Sequence, residues 1–309
     1  MEVTSVILAI STMGIIIVFG ALIALKISIT AEMKNILMMI ILNLAVPFII
    51  LNGVFNTKIT DVIFQQVFLV FGISIVFNAG GIILTLVLGR LLHLNQPKQL
   101  ALLAALGNTG FIGIPLSATL FGPLGGLLAA VFDAGLDVVL FSLGIYLLQS
   151  NQKFQFKQLK ALLNIPLLAI SLGLLYVISG WEAPIIFKQL ASMLSNLAAP
   201  LAMLYIGFLL PTFFQVGRRF YFQGLWFPLL MKLLILPLFG IICLRFTSIQ
   251  TDLTFLLVIL TSMPTFMLAS VLFSRYTQEE NEAIMVTVYS TLISILTIPL
   301  ISWIASFLL

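Results

Sequence analysis

The chain has 309 residues, 61% hydrophobic and only 8% charged, with a formal net charge of +4 and a mean hydropathy of +1.24. That balance excludes an ordinary soluble domain and calls for an all-α polytopic membrane protein built as one membrane domain. Cys243 is the only cysteine and His93 the only histidine, which excludes an internal disulfide, a cysteine-rich zinc site and a histidine-based intramembrane catalytic pair. No metal or cofactor is expected. The basic residues fall mostly in short connectors between apolar runs, a pattern of membrane topology and not of nucleic-acid binding.

A spanning helix needs roughly 20 apolar residues, and division at the polar connectors gives ten runs. Their approximate limits are Val3 to Leu25, Asn35 to Leu51, Val67 to Leu91, Leu100 to Phe121, Leu124 to Leu148, Leu162 to Ser179, Ile185 to Leu210, Phe222 to Leu244, Leu253 to Phe273 and Ala283 to Leu308. The first has no basic start and no evident cleavage site, and reads as a true span, not a signal peptide. Connectors after the odd-numbered spans hold Lys26, Lys34, Arg90, Lys98, Lys153, Lys157, Lys160, Arg218, Arg219 and Arg275, against Lys58, Lys188 and Arg245 on the other side. The excess marks the cytoplasmic face and predicts both termini outside a plasma membrane.

The longest cytoplasmic connector, 149–161, divides a first set of five spans (1–148) from a second (162–309). Five is odd, so a duplication would set the second half upside down relative to the first. Asn43-Leu44-Ala45-Val46-Pro47 in span 2 and Asn196-Leu197-Ala198-Ala199-Pro200 in span 7 match in this way, as do Pro115 in span 4 and Pro264 in span 9. Their separations are nearly equal, which favours inverted repeats.

Spans 4 and 9 are both interrupted. Gly107-Asn108-Thr109-Gly110-Phe111-Ile112-Gly113-Ile114-Pro115 carries three glycines and a proline, and Thr261-Ser262-Met263-Pro264-Thr265 interrupts the other. Helices are expected to open there and restart at Pro115 and near Pro264, where a missing N–H costs nothing. Opened backbone at membrane depth survives only when buried in protein or lining a cavity, so a paired interruption marks a transporter's binding site. Two half-helix N-termini favour an anion. Asn108, Thr109, Gly110, Gly113 and Pro115 on one side, and Thr261, Ser262, Met263 and Pro264 on the other, are the candidate substrate-binding residues. Their polar groups either hold a carboxylate or only repair the opened backbone. Asn43 and Asn196 are placed to reach the crossing, or to bond carbonyls freed by Pro47 and Pro200.

Three ionisable residues lie deep in spans: Asp133 and Asp137 in span 5, and Lys232 in span 8. Charges there need partners. The two carboxylates are four residues apart and share a helix face; mutual repulsion suits one of them to exchange a proton. Lys232 pairs with one of them if spans 5 and 8 are neighbours. The trio then serves either as a charge and proton relay or as a packing device.

Asn108-Thr109-Gly110-Phe111-Ile112-Gly113-Ile114-Pro115-Leu116, the Met263-Pro264-Thr265 turn and the closing segment from Ser290 to Leu300 together resemble the auxin efflux carrier family, in its short bacterial form. The resemblance implies ten spans as two inverted repeats, similar to sodium/bile-acid symporters, with broken helices 4 and 9 crossing. It further implies a scaffold of spans 1, 2, 6 and 7, a mobile bundle of the others, and an organic-anion cargo such as malate or an auxin-like acid. No ATP-binding loop is present, so a proton gradient or the membrane potential is the expected driving force, with sodium coupling as the alternative. An intramembrane aspartyl-type enzyme is disfavoured because both carboxylates sit on one helix; a sensor or channel is the other reading. Membrane lipid is an expected partner, and the apolar faces of spans 2 and 7 allow a homodimer.

Overall fold

The computed structural model describes residues 3–58, 60–149, 164–213 and 221–309. Most of the connector expected at 149–161, with its lysines, and the Arg218–Arg219 pair lie outside the described residues. Among the described residues, seven helices are long and apolar enough to cross a membrane: Val3–Lys26, Ala31–Asn56, Asp61–Leu91, Thr109–Leu148, Ile185–Pro211, Trp226–Arg245 and Glu280–Leu308. Ile165–Ile178 and Thr251–Thr261 are shorter apolar helices, and Pro97–Ala105 and Ala269–Tyr276 are shorter still. No strand occurs among the described residues, only one isolated bridge.

Several helices begin where a side chain replaces the missing backbone partner. Thr30, Thr60 and Asn164 sit in extended geometry and accept from the N–H groups of Met33, Ile63 and Leu167, the arrangement that favours these residue types at a helix start. Prolines inside apolar helices are handled differently. The turns Ile41–Ala45, Thr109–Gly113 and Met231–Ile235 widen to π geometry just before Pro47, Pro115 and Pro237. In each the residue before proline donates five residues back: Val46 to Ile41, Ile114 to Thr109 and Leu236 to Met231. The wider turn redistributes the bonds around the donor that proline lacks, so the helix continues.

That device moves the first interruption. The chain is open only from Leu106 to Asn108, and the helix restarts at Thr109, well before Pro115, because Asn108 caps it by accepting from the Phe111 N–H. In the second interruption the restart comes later than Pro264, at Ala269. The intervening backbone is held instead by the first opening.

Thr109–Leu148 is two helices folded back on each other. Gly122 has φ 70°, a left-handed conformation that glycine adopts without strain, and Pro123 follows it. On one continuous helix, residues eight apart lie about 12 Å apart. Here a Cβ built on Gly126 would stand 3.0 Å from the Ala118 Cβ. The tight hairpin brings residue 133 opposite residue 109. A similar close approach joins Val3–Lys26 to Ala198–Phe213, where a Cβ on Gly207 would lie 2.7 Å from the Gly20 Cα. In lipid such packing relies on small residues that let backbones meet.

Buried apolar side chains form two clusters. Along three helices and across the two interruptions the change from one cluster to the other coincides with polar residues. Ser74 and Asn78 lie between Val70 and Ile82, Asp133 between Phe132 and Leu136, and Ser290, Thr291 and Ser294 between Val288 and Ile298. Asn108 and Thr109 fall between Leu106 and Phe111, and Thr265 between Met263 and Phe266. The two interruptions share this polar boundary.

Candidate substrate site at the crossing of two interrupted helices

The opened segments satisfy each other. The Asn108 N–H donates to the Pro264 carbonyl (2.7 Å) and the Phe266 N–H to the Leu106 carbonyl (3.2 Å), a one-rung antiparallel bridge between Gly107 and Thr265. The Thr265 hydroxyl donates to the Leu103 carbonyl (2.9 Å), and its N–H to Ser290 Oγ (3.0 Å). Backbone groups that would be costly if orphaned in an apolar interior thus find partners within a few residues. Gly107 is required by proximity: a Cβ there would lie 3.1 Å from Lys232 Nζ and 3.5 Å from the Met263 Cβ.

Each opening exposes the negative end of one half-helix and the positive end of the next. Lys232, 1% exposed, meets the negative end of Pro97–Ala105 by donating to the Ala105 carbonyl (3.1 Å). Among the described residues it forms no ion pair with Asp133 or Asp137. The expected pairing is corrected because Trp226–Arg245 packs chiefly on Pro97–Ala105, Thr251–Thr261 and Glu280–Leu308, where an exposed carbonyl is the nearer partner. Asp133 meets the positive end at Thr109. The Thr109 hydroxyl donates to Asp133 Oδ1, and the Gly110 backbone N–H is turned toward the same carboxylate. A Cβ on Gly110 would lie 3.2 Å from Asp133 Oδ2.

A cavity of about 230 Å³ opens beside this arrangement, with Asn43, Gly107, Asn108, Gly110, Asp133 and Asp137 among its lining. Phe111, whose ring stacks on Tyr205 at 5.6 Å, forms an apolar wall, and Phe266, Met267 and Leu268 bring the start of the second restarted helix to the same space. Asn108 is 2% exposed; its side-chain carbonyl oxygen is used by Phe111, while its amide nitrogen has no hydrogen-bond partner among the described residues. A buried donor left open on a cavity wall calls for an acceptor from outside the protein. No lysine or arginine lines the cavity among the described residues.

The remaining sequence candidates are placed as follows. Thr261 and Ser262 return their hydroxyls to the Val258 carbonyl (3.0 and 2.6 Å), and Thr261 lines a separate apolar groove of about 780 Å³. Gly113 admits the end of Thr251–Thr261, with the Leu260 and Met263 side chains at 3.2 and 3.3 Å from a built Cβ. Met263, Pro264 and Pro115 are buried around the crossing without lining the cavity. Asn196 is exposed at the end of Ile185–Ser195 and does not reach it. Asn164 was not among the sequence candidates. Besides capping its own helix through Oδ1, it donates from Nδ2 to Asp137 Oδ2 (2.9 Å) and lines the cavity. The cap is legible in Asn164-Ile165-Pro166; the second bond has no sequence signal.

Apolar helices that open onto one another beside a cavity with a few polar groups in a mostly apolar lining fit a membrane transporter. Residues 5–302 match a family model described as "Membrane transport protein", and the chain belongs to that family, the auxin-efflux-carrier type that its motifs resemble. An "Uncharacterized transporter" of Methanothermobacter thermautotrophicus is 27% identical over 271 residues, covering 84% of this chain and 85% of that protein.

Proposed function

We propose that the protein is a secondary active carrier of a small organic anion, a carboxylate such as malate or an auxin-like acid, working by alternating access around the crossed interruptions. The observation that carries this reading is the convergence of two restarted helices and the unpartnered Asn108 amide on one cavity. Each helix start supplies roughly half a positive charge, and an amide or hydroxyl hydrogen-bonds a carboxylate there without a fixed cation. The cavity is smaller than the roughly 300–1,000 Å³ of drug-sized sites, which suits a metabolite of few atoms.

In this reading ten spans form two inverted five-helix repeats, both termini lie outside the cell membrane, and spans 3–5 and 8–10 move against spans 1, 2, 6 and 7. Asn43 and Asn164 then face the cargo from the static side, and Asp133 and Asp137 from the moving side. Proton or potential coupling is favoured over sodium, because Lys232 already places a cation at the Ala105 carbonyl, one of the opened carbonyls that would hold the ion. The test is a thermal-shift screen of carboxylates on the purified protein, repeated on Asn108→Ala. A stabilising carboxylate whose effect disappears in the variant supports the reading; stabilisation by amines or sugars alone contradicts it.

A further inference from the structure

The seat that suits a cargo carboxylate is already taken by one belonging to the protein. Asp133 accepts from the Thr109 hydroxyl and faces the Gly110 N–H at the start of the restarted helix. It reaches that place because the hairpin at Gly122 sets residue 133 against residue 109. The one buried donor left open there, Asn108 Nδ2, stands on the wall of the same cavity. Resting on the anion-carrier reading, we propose that Asp133 is a tethered competitor for the cargo: in the empty carrier its carboxylate holds the donors that the cargo's carboxylate takes, and each anion binds together with one proton on Asp133.

The surroundings leave few other ways to balance the charge. Asp137 lies one helical turn from Asp133 and is held by Asn164 Nδ2. The neighbouring Asp61–Leu91 helix contributes Ser74, which donates to the Phe132 carbonyl, and the Ala31–Asn56 helix contributes Asn43 to the cavity. Tyr205 presents its ring to Phe111. Phe266, Met267 and Leu268 carry no ionisable group. Lys232 lies behind Gly107, committed to Ala105. Two half-helix starts offset about one negative charge between them, so a further carboxylate at the same donors is opposed unless Asp133, which occupies them, is neutral; Asp137, held by Asn164 away from those donors, does not relieve that competition. A proton from the solvent forms an O–H on Asp133, removes its charge from the helix start and weakens its hold on the Thr109 hydroxyl and the Gly110 N–H, although one oxygen can still accept. The charged carboxylate of the cargo then displaces it from those donors and adds Asn108 Nδ2, which is open already. Anion plus proton adds no net charge, so a monoanion crosses without moving charge.

The experiment is calorimetric titration of the full-length purified protein with indole-3-acetate and with L-malate, in two buffers of different ionisation heat, across about pH 5 to 8. Corrected for the ligand's own titration, one proton is taken up per anion bound. Wild-type affinity falls by about tenfold per pH unit at the alkaline end. Asp133→Asn binds without proton uptake, with a flat pH profile and more tightly than wild type at that end. Asp137→Asn keeps the wild-type slope whatever its absolute affinity. Binding to the wild type without proton uptake overturns the proposal and leaves the anion-carrier reading standing; this arm needs no variant to fold. A slope lost in Asp137→Asn and kept in Asp133→Asn also overturns it. If neither anion binds the wild type at any pH, the anion-carrier reading falls, and the tethered competitor with it.

Discussion

Lys232 and Asp133 each meet one end of an interrupted helix, and each carries the sign that end attracts. Lys232 is sealed: 1% exposed, against a carbonyl, with Gly107 packed on its ammonium. Asp133 stands half-buried on a cavity wall, beside an amide with no partner. One charge therefore completes the backbone in a sealed interior, while the other stands where, in the proposed carrier, the cargo binds. Under that proposal the difference separates what holds the crossing together from what works there.

The contrast breaks most visibly under charge reversal. Lys232→Glu puts an anion against the carbonyl end of Pro97–Ala105 in a dry interior, and an uncompensated buried charge costs about 3–5 kcal/mol. Folded protein is expected to be scarce in fluorescence-detected size exclusion. Gly107→Ala drives a Cβ toward Lys232 Nζ and Met263, at about 1–3 kcal/mol for overpacking, read as a lower thermal midpoint together with lost transport. Asn164→Ala removes a helix cap worth about 1 kcal/mol and the partner of Asp137; a modest drop in thermal midpoint is expected. Asp133→Asn should lower the midpoint least, at a cost of about 0.3–1 kcal/mol for the lost charge at the helix start, since an amide oxygen can still accept from Thr109. If Asp133→Asn unfolds the protein as readily as Lys232→Glu, the two charges are equivalent structural caps and the contrast is lost.

The sequence disclosed the interruptions because glycine and proline inside apolar runs conflict with a plain spanning helix, as at Gly107 and Pro264. It misplaced where the helices restart, since a π turn carries the chain through Pro115, and the capping strength of Asn108 outweighs the proline signal. Lys232 was matched to a carboxylate by sign alone; its partner, the Ala105 carbonyl, belongs to the backbone and leaves no mark in side-chain chemistry. Asn43 and Asn196 look like twins in sequence, yet one lines the cavity and the other ends an exposed helix. The hydroxyls of Thr261 and Ser262 took the alternative open to them, repairing their own helix at Val258. Local roles were missed or left undecided too, since Asn108 caps its own helix and Thr261 and Ser262 bond back to Val258, and bonds made across helices, such as Asn164 to Asp137, depend on packing that periodicity does not encode.

The most direct measurement is counterflow in proteoliposomes loaded with an unlabelled carboxylate that stabilises the protein, followed by uptake of the labelled form in wild type and in Asn108→Ala. Transient, saturable accumulation by the wild type and its loss in a variant that still folds is the expected result. Wild-type vesicles that accumulate no carboxylate above empty liposomes, or Asn108→Ala vesicles that accumulate it as well as wild type, would contradict an anion held at the crossing.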